Sequence, residues 1–185
     1  MAYNASQTVV DILGPWFLRK SDLLHAFSHS GASFEEWLNW ELFAAFLRAG
    51  HACEGRPHYG NLGQHPMPAI MGDLLSTCPH SQGRYLMEMA LVGSGTQNKW
   101  RAKIQRDHEK LLQLDAAPSL DPLHKVQLVF LAAADDTGIC QKWDDWLQKI
   151  PFYGQGAADS QYLIPLRHSS IPTQGEAVLM AWNVR

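Results

Sequence analysis

A chain of 185 residues, of which 46% are hydrophobic and 18% charged, can bury one sizeable core but is too short for two ordinary domains. This composition excludes a disordered, collagen-like or coiled-coil protein. The formal net charge of −3 means that binding to nucleic acid or to a membrane surface would need a local basic patch. We predict one domain over residues 1–185, with an N-terminal helical segment (1–32), a core (33–134), and a C-terminal helix with strands (135–185).

The N-terminal segment and the start of the core have helical periodicity. Apolar residues at helical spacing over residues 7–29 predict one or two short helices, with a break at Gly14 and Pro15. Ser33 is followed by acidic residues in what would be a first turn, which is typical of a helix N-terminus. We therefore expect a helix over residues 33–48.

Three successive strands are predicted after this helix. Residues 51–64 predict a strand with a turn, residues 68–76 predict a second strand, and the alternating pattern of residues 84–92 predicts a third, which ends at Gly93. Helical periodicity then returns over residues 96–114.

The last third of the chain adds further elements of both kinds. The short apolar run over residues 126–134 predicts one buried strand. A helix over residues 139–149 and strands over residues 161–166 and 176–184 complete the order. Together the elements predict an α/β fold with a mixed central sheet flanked by helices.

The cysteines and the apolar segments indicate a compartment. Three cysteines without paired spacing are typical of a reducing environment. The first twenty residues lack the basic and apolar regions of a secretory leader, and no stretch reaches the ~18 apolar residues of a membrane span. We expect a cytoplasmic protein without a membrane partner. The pairs His51-Ala-Cys53 and Cys78-Pro-His80 lack the usual spacing of zinc ligands.

Glu41 falls on the apolar face of the first long predicted helix. Its i+3 and i+4 neighbours are Ala44 and Ala45, so no cation on the same helix pairs with it there. An unpaired buried carboxylate is costly, and another part of the fold must compensate its charge. A structural pair with a distant arginine such as Arg48 or Arg84, or partial exposure, would also explain it.

Glu88 is flanked by apolar residues in the predicted strand RYLMEMALV. A buried strand carboxylate needs a metal ion or a cation. Asp73, at the end of the preceding predicted strand, is an ordinary turn residue when considered alone. Acidic residues that converge on one end of a sheet could hold Mg²⁺, which prefers oxygen ligands and retains water that can act as a nucleophile.

In this order, the residues resemble the core of the PD-(D/E)xK superfamily, the restriction-endonuclease-like nucleases. The resemblance covers residues 33–134 and rests on the helix Glu of FEEWLNWELFAAFL, on Asp73, on Glu88 in the next strand and on the basic helix KWRAKIQRDHEKLLQL. It implies a restriction-endonuclease-like αβββαβ core and hydrolysis of phosphodiester bonds. It also implies Mg²⁺ or Mn²⁺ bound by Glu41, Asp73 and Glu88.

The chain departs from this superfamily at the lysine that positions the attacking water. That lysine lies two residues after the strand Glu, where this sequence has Ala90. Some members take the cation from the next helix instead, and Lys99 and Lys103 are the candidates here. They belong to a basic face over residues 99–110, which could contact nucleic-acid phosphates or form only solvated ion pairs.

Two functions therefore remain open. The three acidic residues favour a metal-dependent nuclease, an endonuclease-like enzyme that binds nucleic acid. Ala90 and the net charge of −3 favour a catalytically degenerate protein of the same fold that acts as a binding, regulatory or immunity-type partner of another protein. Trp143 and Trp146 bear on this alternative, because they could pack in the core or, if exposed, anchor a protein partner.

Overall fold

The structure is a computed structural model. It describes residues 4–65, 70–81, 83–96, 98–132, 137–147, 149, 158–166 and 176–185. Six strands lie within these residues: β1 (Ala52–Gly55), β2 (Leu74–Thr77), β3 (Arg84–Val92), β4 (Leu123–Leu131), β5 (Ser160–Pro165) and β6 (Glu176–Val184). The helices of the described residues are α1 (Ala5–Leu18), α2 (Ser21–His29), α3 (Glu35–Arg48), α4 (Lys99–Gln113) and α5 (Thr137–Leu147).

The strands form one mixed sheet in the order β1-β2-β3-β4-β6-β5. Strands β3 and β4 are parallel, and the other neighbouring pairs are antiparallel. A parallel pair needs a crossover connection, which α4 supplies between β3 and β4. The predicted α/β class with a mixed sheet flanked by helices is confirmed.

The two faces of the sheet are covered by different helices. On one face, Met87, Met89 and Leu91 of β3 join the large apolar cluster beneath α1 and α3. On the other face, Ala90 and Val92 pack in a smaller cluster that includes residues of α4 and α5. Glu88 has the same side-chain direction as Ala90, because side chains alternate along a strand. The α4 side of the sheet is therefore the side that buries a charged residue.

The predicted break at Gly14 and Pro15 is wrong, because α1 continues to Leu18. The apolar face of α1 is fully buried, as at Phe17, and this packing outweighs the ~3 kcal/mol that an internal proline costs a helix. Gly14 serves packing here, because a Cβ at this position would lie 2.3 Å from the ring of Tyr162.

The start of α3 also differs from the prediction. The helix begins at Glu35 after Phe34, and Ser33 is not the N-cap. Phe34 makes no side-chain cap but is buried, and its ring stacks on Phe27 with centroids 5.5 Å apart. Tertiary packing of Phe34 fixes this helix end in place of a capping hydroxyl.

Other boundaries are shifted by a few residues. Strand β2 begins only at Leu74, and residues 68–69 of the predicted strand lie outside the described residues. Strand β4 begins at Leu123, three residues before the prediction, and residues 133–134 lie outside the described residues. The predicted bounds of β3 and β6 are confirmed.

The tryptophans of α5 belong to the packed interior. Trp143 is 3% exposed, and the rings of Trp143 and Trp146 lie 5.7 and 5.1 Å from that of Trp100 on α4. Both rings pack between helices, with Trp143 buried and Trp146 partly buried against the same cluster. Within the described ranges no helix is both long and apolar enough to cross a membrane.

Candidate functional site

Asp73 lies directly before β2, at the start of the strand and not at its end as predicted, because pairing with β3 begins only at Leu74. Its Oδ2 accepts a hydrogen bond from the backbone N–H of Met89 at 2.7 Å, and its Oδ1 accepts one from Asn39 Nδ2 at 3.2 Å. Burial raises the pKa of the Asp73 carboxyl, while the ammonium of Lys103 acts to lower it. The carboxylate is thus held between α3 and β3 with 18% of the side chain exposed.

Glu88 lies in the middle of β3 with 1% of its side chain exposed. Its Oε1 accepts hydrogen bonds from the Tyr59 hydroxyl and from Lys110 Nζ, both at 2.8 Å. Burial, followed by the negative charges of Asp73 and Asp107, raises the pKa of Glu88 to about 8, and Lys110 opposes this shift. The cation that a buried strand carboxylate requires is therefore Lys110 of α4.

Lys103 supplies a second ammonium from about two turns before Lys110 on α4. Its Nζ lies 2.6 Å from Asp107 Oδ2, 3.4 Å from Glu35 Oε1 and 4.0 Å from Asp73 Oδ2. Burial acts to lower the pKa of Lys103, but the charges of Asp73, Asp107 and Glu35 outweigh it and raise the pKa. This ammonium remains charged because three carboxylates face it.

Glu35 and Asp107 complete the arrangement, and sequence reasoning did not identify either as a site residue. Glu35 Oε2 accepts a hydrogen bond from the backbone N–H of Leu91 on β3 at 3.2 Å. Burial raises the pKa of Glu35, Lys103 acts to lower it, and the charge of Asp73 raises it further. The sequence does carry a signal for Asp107, because its i−4 and i+3 neighbours on the helix are Lys103 and Lys110, which predicts ion pairs on one helix face.

We call these groups the Asp73 cluster. Its members are Glu35, Asp73, Glu88, Asp107, Lys103 and Lys110. Four carboxylates share two ammonium groups, so the fully ionised cluster has a net charge of −2. Glu35 and Asp73 reach the surface with 25% and 18% of their side chains exposed, whereas Glu88 and Asp107 lie beneath them at 1%.

Glu41 lies in a different region. Its Oε2 accepts a hydrogen bond from Trp16 Nε1 at 2.8 Å and pairs with Lys20 Nζ at 3.1 Å. Six residues along an α-helix correspond to a rotation of about 120°, so Glu41 faces α1 while Glu35 faces β3 and α4. The predicted set of Glu41, Asp73 and Glu88 is therefore not brought together. Glu41 has a structural pair, as its alternative explanation proposed, but the partner is Lys20 and not Arg48 or Arg84.

The two lysines that were candidates to replace the motif lysine also lie in different places. Lys103 enters the Asp73 cluster, whereas Lys99 is exposed and lines a neighbouring open groove of about 520 Å³ together with Glu35 and Arg106. In the described part of the chain Lys99 forms no ion pair. Ala90 is 1% exposed in an apolar cluster, so its position offers no polar group to the site.

The residues that the structure describes contain no group of three or more His, Cys, Asp or Glu side chains arranged to hold a metal ion. His51 instead forms a 2.7 Å hydrogen bond with Ser76 through Nδ1. The Asp73 cluster has oxygen donors in excess of its cations, but its two lysines compensate part of that charge.

Comparison with known proteins gives no match to a family model, to a curated protein or to a solved structure. The chemistry of the Asp73 cluster is thus the main indication of function. Carboxylates, an ammonium and adjoining exposed cations can together bind a divalent ion and an anionic substrate.

Proposed function

We propose that the protein is a metal-dependent nuclease of the PD-(D/E)xK type that hydrolyses phosphodiester bonds of nucleic acid at the Asp73 cluster. The position of Lys103 is the observation that carries this proposal. Its ammonium, which comes from α4, lies 3.4 Å from Glu35 and 4.0 Å from Asp73. It supplies a positive charge beside the acidic residues in a chain where Ala90 replaces the motif lysine.

The element order supports the same proposal. From α3 to β4 the chain runs α3-β1-β2-β3-α4-β4, an αβββαβ order in which β3 and β4 are parallel. Asp73 precedes β2 and Glu88 lies in β3, so the two carboxylates come from neighbouring strands. This is the arrangement that the resemblance implies for a restriction-endonuclease-like core.

A divalent cation fits the donors of this cluster. Mg²⁺ is commonly held by one or two carboxylates together with water and substrate phosphates, so a preformed set of three acids is not required. Asp73 and Glu35, the two carboxylates of the cluster that reach the surface, would hold the ion, and water and substrate phosphates would supply the remaining ligands. When bound, Mg²⁺ or Mn²⁺ supplies Lewis-acid chemistry that activates water and offsets phosphate charge.

The chain's own residues would position and stabilise the substrate. Lys103 is the group that would stabilise negative charge developing on the phosphate oxygens. The Asn39 amide and the Met89 N–H hold the Asp73 carboxylate in place. Lys99 and Arg106, in the groove next to Lys103, would contact phosphates of the bound strand.

A catalytically degenerate binding protein is the second candidate, and the ion pairs favour it. Lys103 lies 2.6 Å from Asp107 and Lys110 lies 2.8 Å from Glu88, so the lysines already compensate buried carboxylates without a metal ion. Such a protein would keep the fold as a scaffold and act as a binding, regulatory or immunity-type partner of another protein.

A cleavage assay separates the two candidates. Labelled single- and double-stranded DNA and RNA are incubated with the full chain in Mg²⁺, in Mn²⁺ and in EDTA. Asp73→Asn keeps the shape of the side chain but removes its charge, and we expect it to lower the rate by about 100-fold or more, as loss of one electrostatic group in an active site does. Equal rates for the two proteins would indicate a contaminating nuclease. No cleavage of any substrate would favour the binding protein.

A further inference from the structure

A small pocket adjoins Asp73 on the side away from α4. It has a volume of about 160 Å³ and is lined by Glu36, Asn39, Trp40, Phe43, Gly55, Arg56 and Asp73, which we call the Trp40 pocket. This volume is below the ~300–1,000 Å³ of pockets for drug-sized ligands, so it suits a single ring system. The pocket shares Asp73 with the Asp73 cluster, which places any occupant beside the proposed site of cleavage.

Trp40 gives the pocket an open aromatic wall. Its side chain is 67% exposed, more than any other large apolar side chain of the described residues, although tryptophan is mostly buried in proteins. Its ring stacks on no other aromatic ring within the described ranges. Phe43 packs over Gly55, where a Cβ would lie 3.6 Å from the Phe43 ring. An aromatic ring could therefore stack on Trp40 without displacing a neighbour.

Two polar side chains that line the pocket, those of Asn39 and Arg56, have groups without a partner among the described residues. Asn39 donates through Nδ2 to Asp73, while its buried Oδ1 accepts no hydrogen bond within the described part of the chain. Arg56 is exposed, forms no ion pair among the described residues, and donates its backbone N–H to the Asp73 carbonyl at 3.2 Å.

The backbone at Arg56 supports a role in ligand binding. Its φ is +55°, a left-handed conformation that residues with a Cβ adopt rarely and that is often found at ligand sites. Arg56 lines the pocket beside the exposed ring of Trp40, and its guanidinium forms no ion pair among the described residues. A phosphate and an aromatic ring are the two groups that would match these features.

From this combination we infer that the Trp40 pocket binds one unpaired nucleobase, with Arg56 on the adjoining phosphate, so that the substrate is single-stranded nucleic acid or a strand with an unpaired nucleotide. This inference rests on the proposed function and specifies its substrate class. The faces of bases within a duplex are covered by their neighbours, so only an unstacked base can reach Trp40.

Equilibrium binding in EDTA tests the pocket without turnover. The full chain is titrated against a fluorescein-labelled single-stranded 12-mer and against its blunt duplex, with fluorescence anisotropy as the readout. The variants are Trp40→Ala, Trp40→Phe, which retains a ring, and Leu47→Ala, which removes another exposed side chain of the same helix outside the pocket. Thermal melts confirm that each variant is folded.

We expect Trp40→Ala to weaken single-strand binding by about 5- to 100-fold, as loss of one base–aromatic stack does. Trp40→Phe should weaken single-strand binding less, and Leu47→Ala should leave it unchanged. All three variants should bind the duplex with the affinity of wild type. Single-strand affinity that does not depend on Trp40, an equal loss for strand and duplex, or no binding at low salt would overturn the inference.

The two proposals fail in distinguishable ways. If Trp40→Ala lowers single-strand affinity but no substrate is cleaved in Mg²⁺ or Mn²⁺, the nuclease assignment is wrong and the nucleobase pocket stands. If wild-type protein cleaves nucleic acid and Trp40→Ala binds the single strand as tightly as wild type, the pocket is wrong and the nuclease assignment stands.

Discussion

The Glu41 region and the Asp73 cluster are both acidic, but they differ in how their negative charge is compensated. At Glu41 one carboxylate meets one ammonium, that of Lys20, and one indole N–H, that of Trp16. In the Asp73 cluster four carboxyl groups share the ammonium groups of Lys103 and Lys110. A balanced pair needs no further partner, whereas an excess of buried negative charge favours binding of a cation. The two regions should therefore respond differently to the loss of a charge, to pH and to divalent ions.

The largest expected effect is on stability when the shared ammonium is removed. Lys103→Met should lower the free energy of unfolding by about 3 kcal/mol, because it leaves one buried and two partly buried carboxylates without their common cation. The matched variant Lys20→Met removes a single, more exposed pair and should cost about 1 kcal/mol or less. Urea unfolding at pH 7 measures both, and equal losses would mean that the two regions do not differ as described.

The second prediction concerns pH and the raised pKa of Glu88. Its pKa is about 8 in the folded protein against 4.5 for the ordinary group, so the folded state binds this proton more tightly than the unfolded state. The resulting stabilisation is complete below about pH 4.5 and is lost as the pH rises from about 5 to 8. In metal-free buffer, wild type should lose on the order of 2 kcal/mol over this range relative to Glu88→Gln.

The comparison between these two proteins isolates Glu88 from other titrating groups. Burial lowers the pKa values of His51, His108 and His124, and their contributions, which run in the opposite direction with pH, are common to both proteins. Unfolding curves at pH 5, 6, 7 and 8 supply the difference. Parallel pH profiles for the two proteins would show that Glu88 does not hold a proton in the folded state.

A smaller effect is expected from divalent ions. Mg²⁺ or Mn²⁺ at ten times its dissociation constant should raise the free energy of unfolding of wild type by about 1.4 kcal/mol through binding to the native state. In a domain of this size that corresponds to about 3–6 °C in Tm. Asp73→Asn should abolish the shift and Glu41→Gln should preserve it. A shift that survives in Asp73→Asn would place the ion elsewhere.

The smallest effect is expected at Glu41 itself. Glu41→Gln removes the charge that pairs with Lys20, but its amide oxygen can still accept the Trp16 hydrogen bond. We expect a loss of about 0.5–1 kcal/mol in the free energy of unfolding, the usual value for a partly exposed pair. A loss of several kcal/mol, measured by the same urea titration, would show that this region is more tightly buried than its geometry indicates.

Local periodicity predicted most of the fold. The alternating pattern of residues 84–92 predicted β3, and the change from helical to strand-like spacing predicted the mixed α/β sheet. The errors are at Pro15 and Ser33, where packing of apolar side chains against the rest of the fold outweighed local preferences. Burial of this kind depends on distant segments and is not visible in a short window of sequence.

The candidate site was predicted less completely, for a related reason. The rule that a buried carboxylate needs a metal ion or a cation predicted a partner for Glu88, and the structure shows Lys110 in that position. The same rule applied to Glu41, but its partner Lys20 comes from the link between two other helices. Glu35 has no local signal at all, because its role depends on the Leu91 N–H of β3 and on Lys103 of α4.

The most direct test of the Asp73 cluster as the functional site is the rate of nucleic-acid cleavage by two variants that each lose one carboxylate charge. Asp73→Asn and Glu41→Gln each replace one carboxylate by an amide, and both are assayed with the best substrate of wild type in Mg²⁺ or Mn²⁺. We expect Asp73→Asn to lower the cleavage rate by about 100-fold or more, because it removes a charge in the active site, while Glu41→Gln should stay close to the wild-type rate. Loss of activity in Glu41→Gln with normal activity in Asp73→Asn would contradict the assignment of the Asp73 cluster as the functional site.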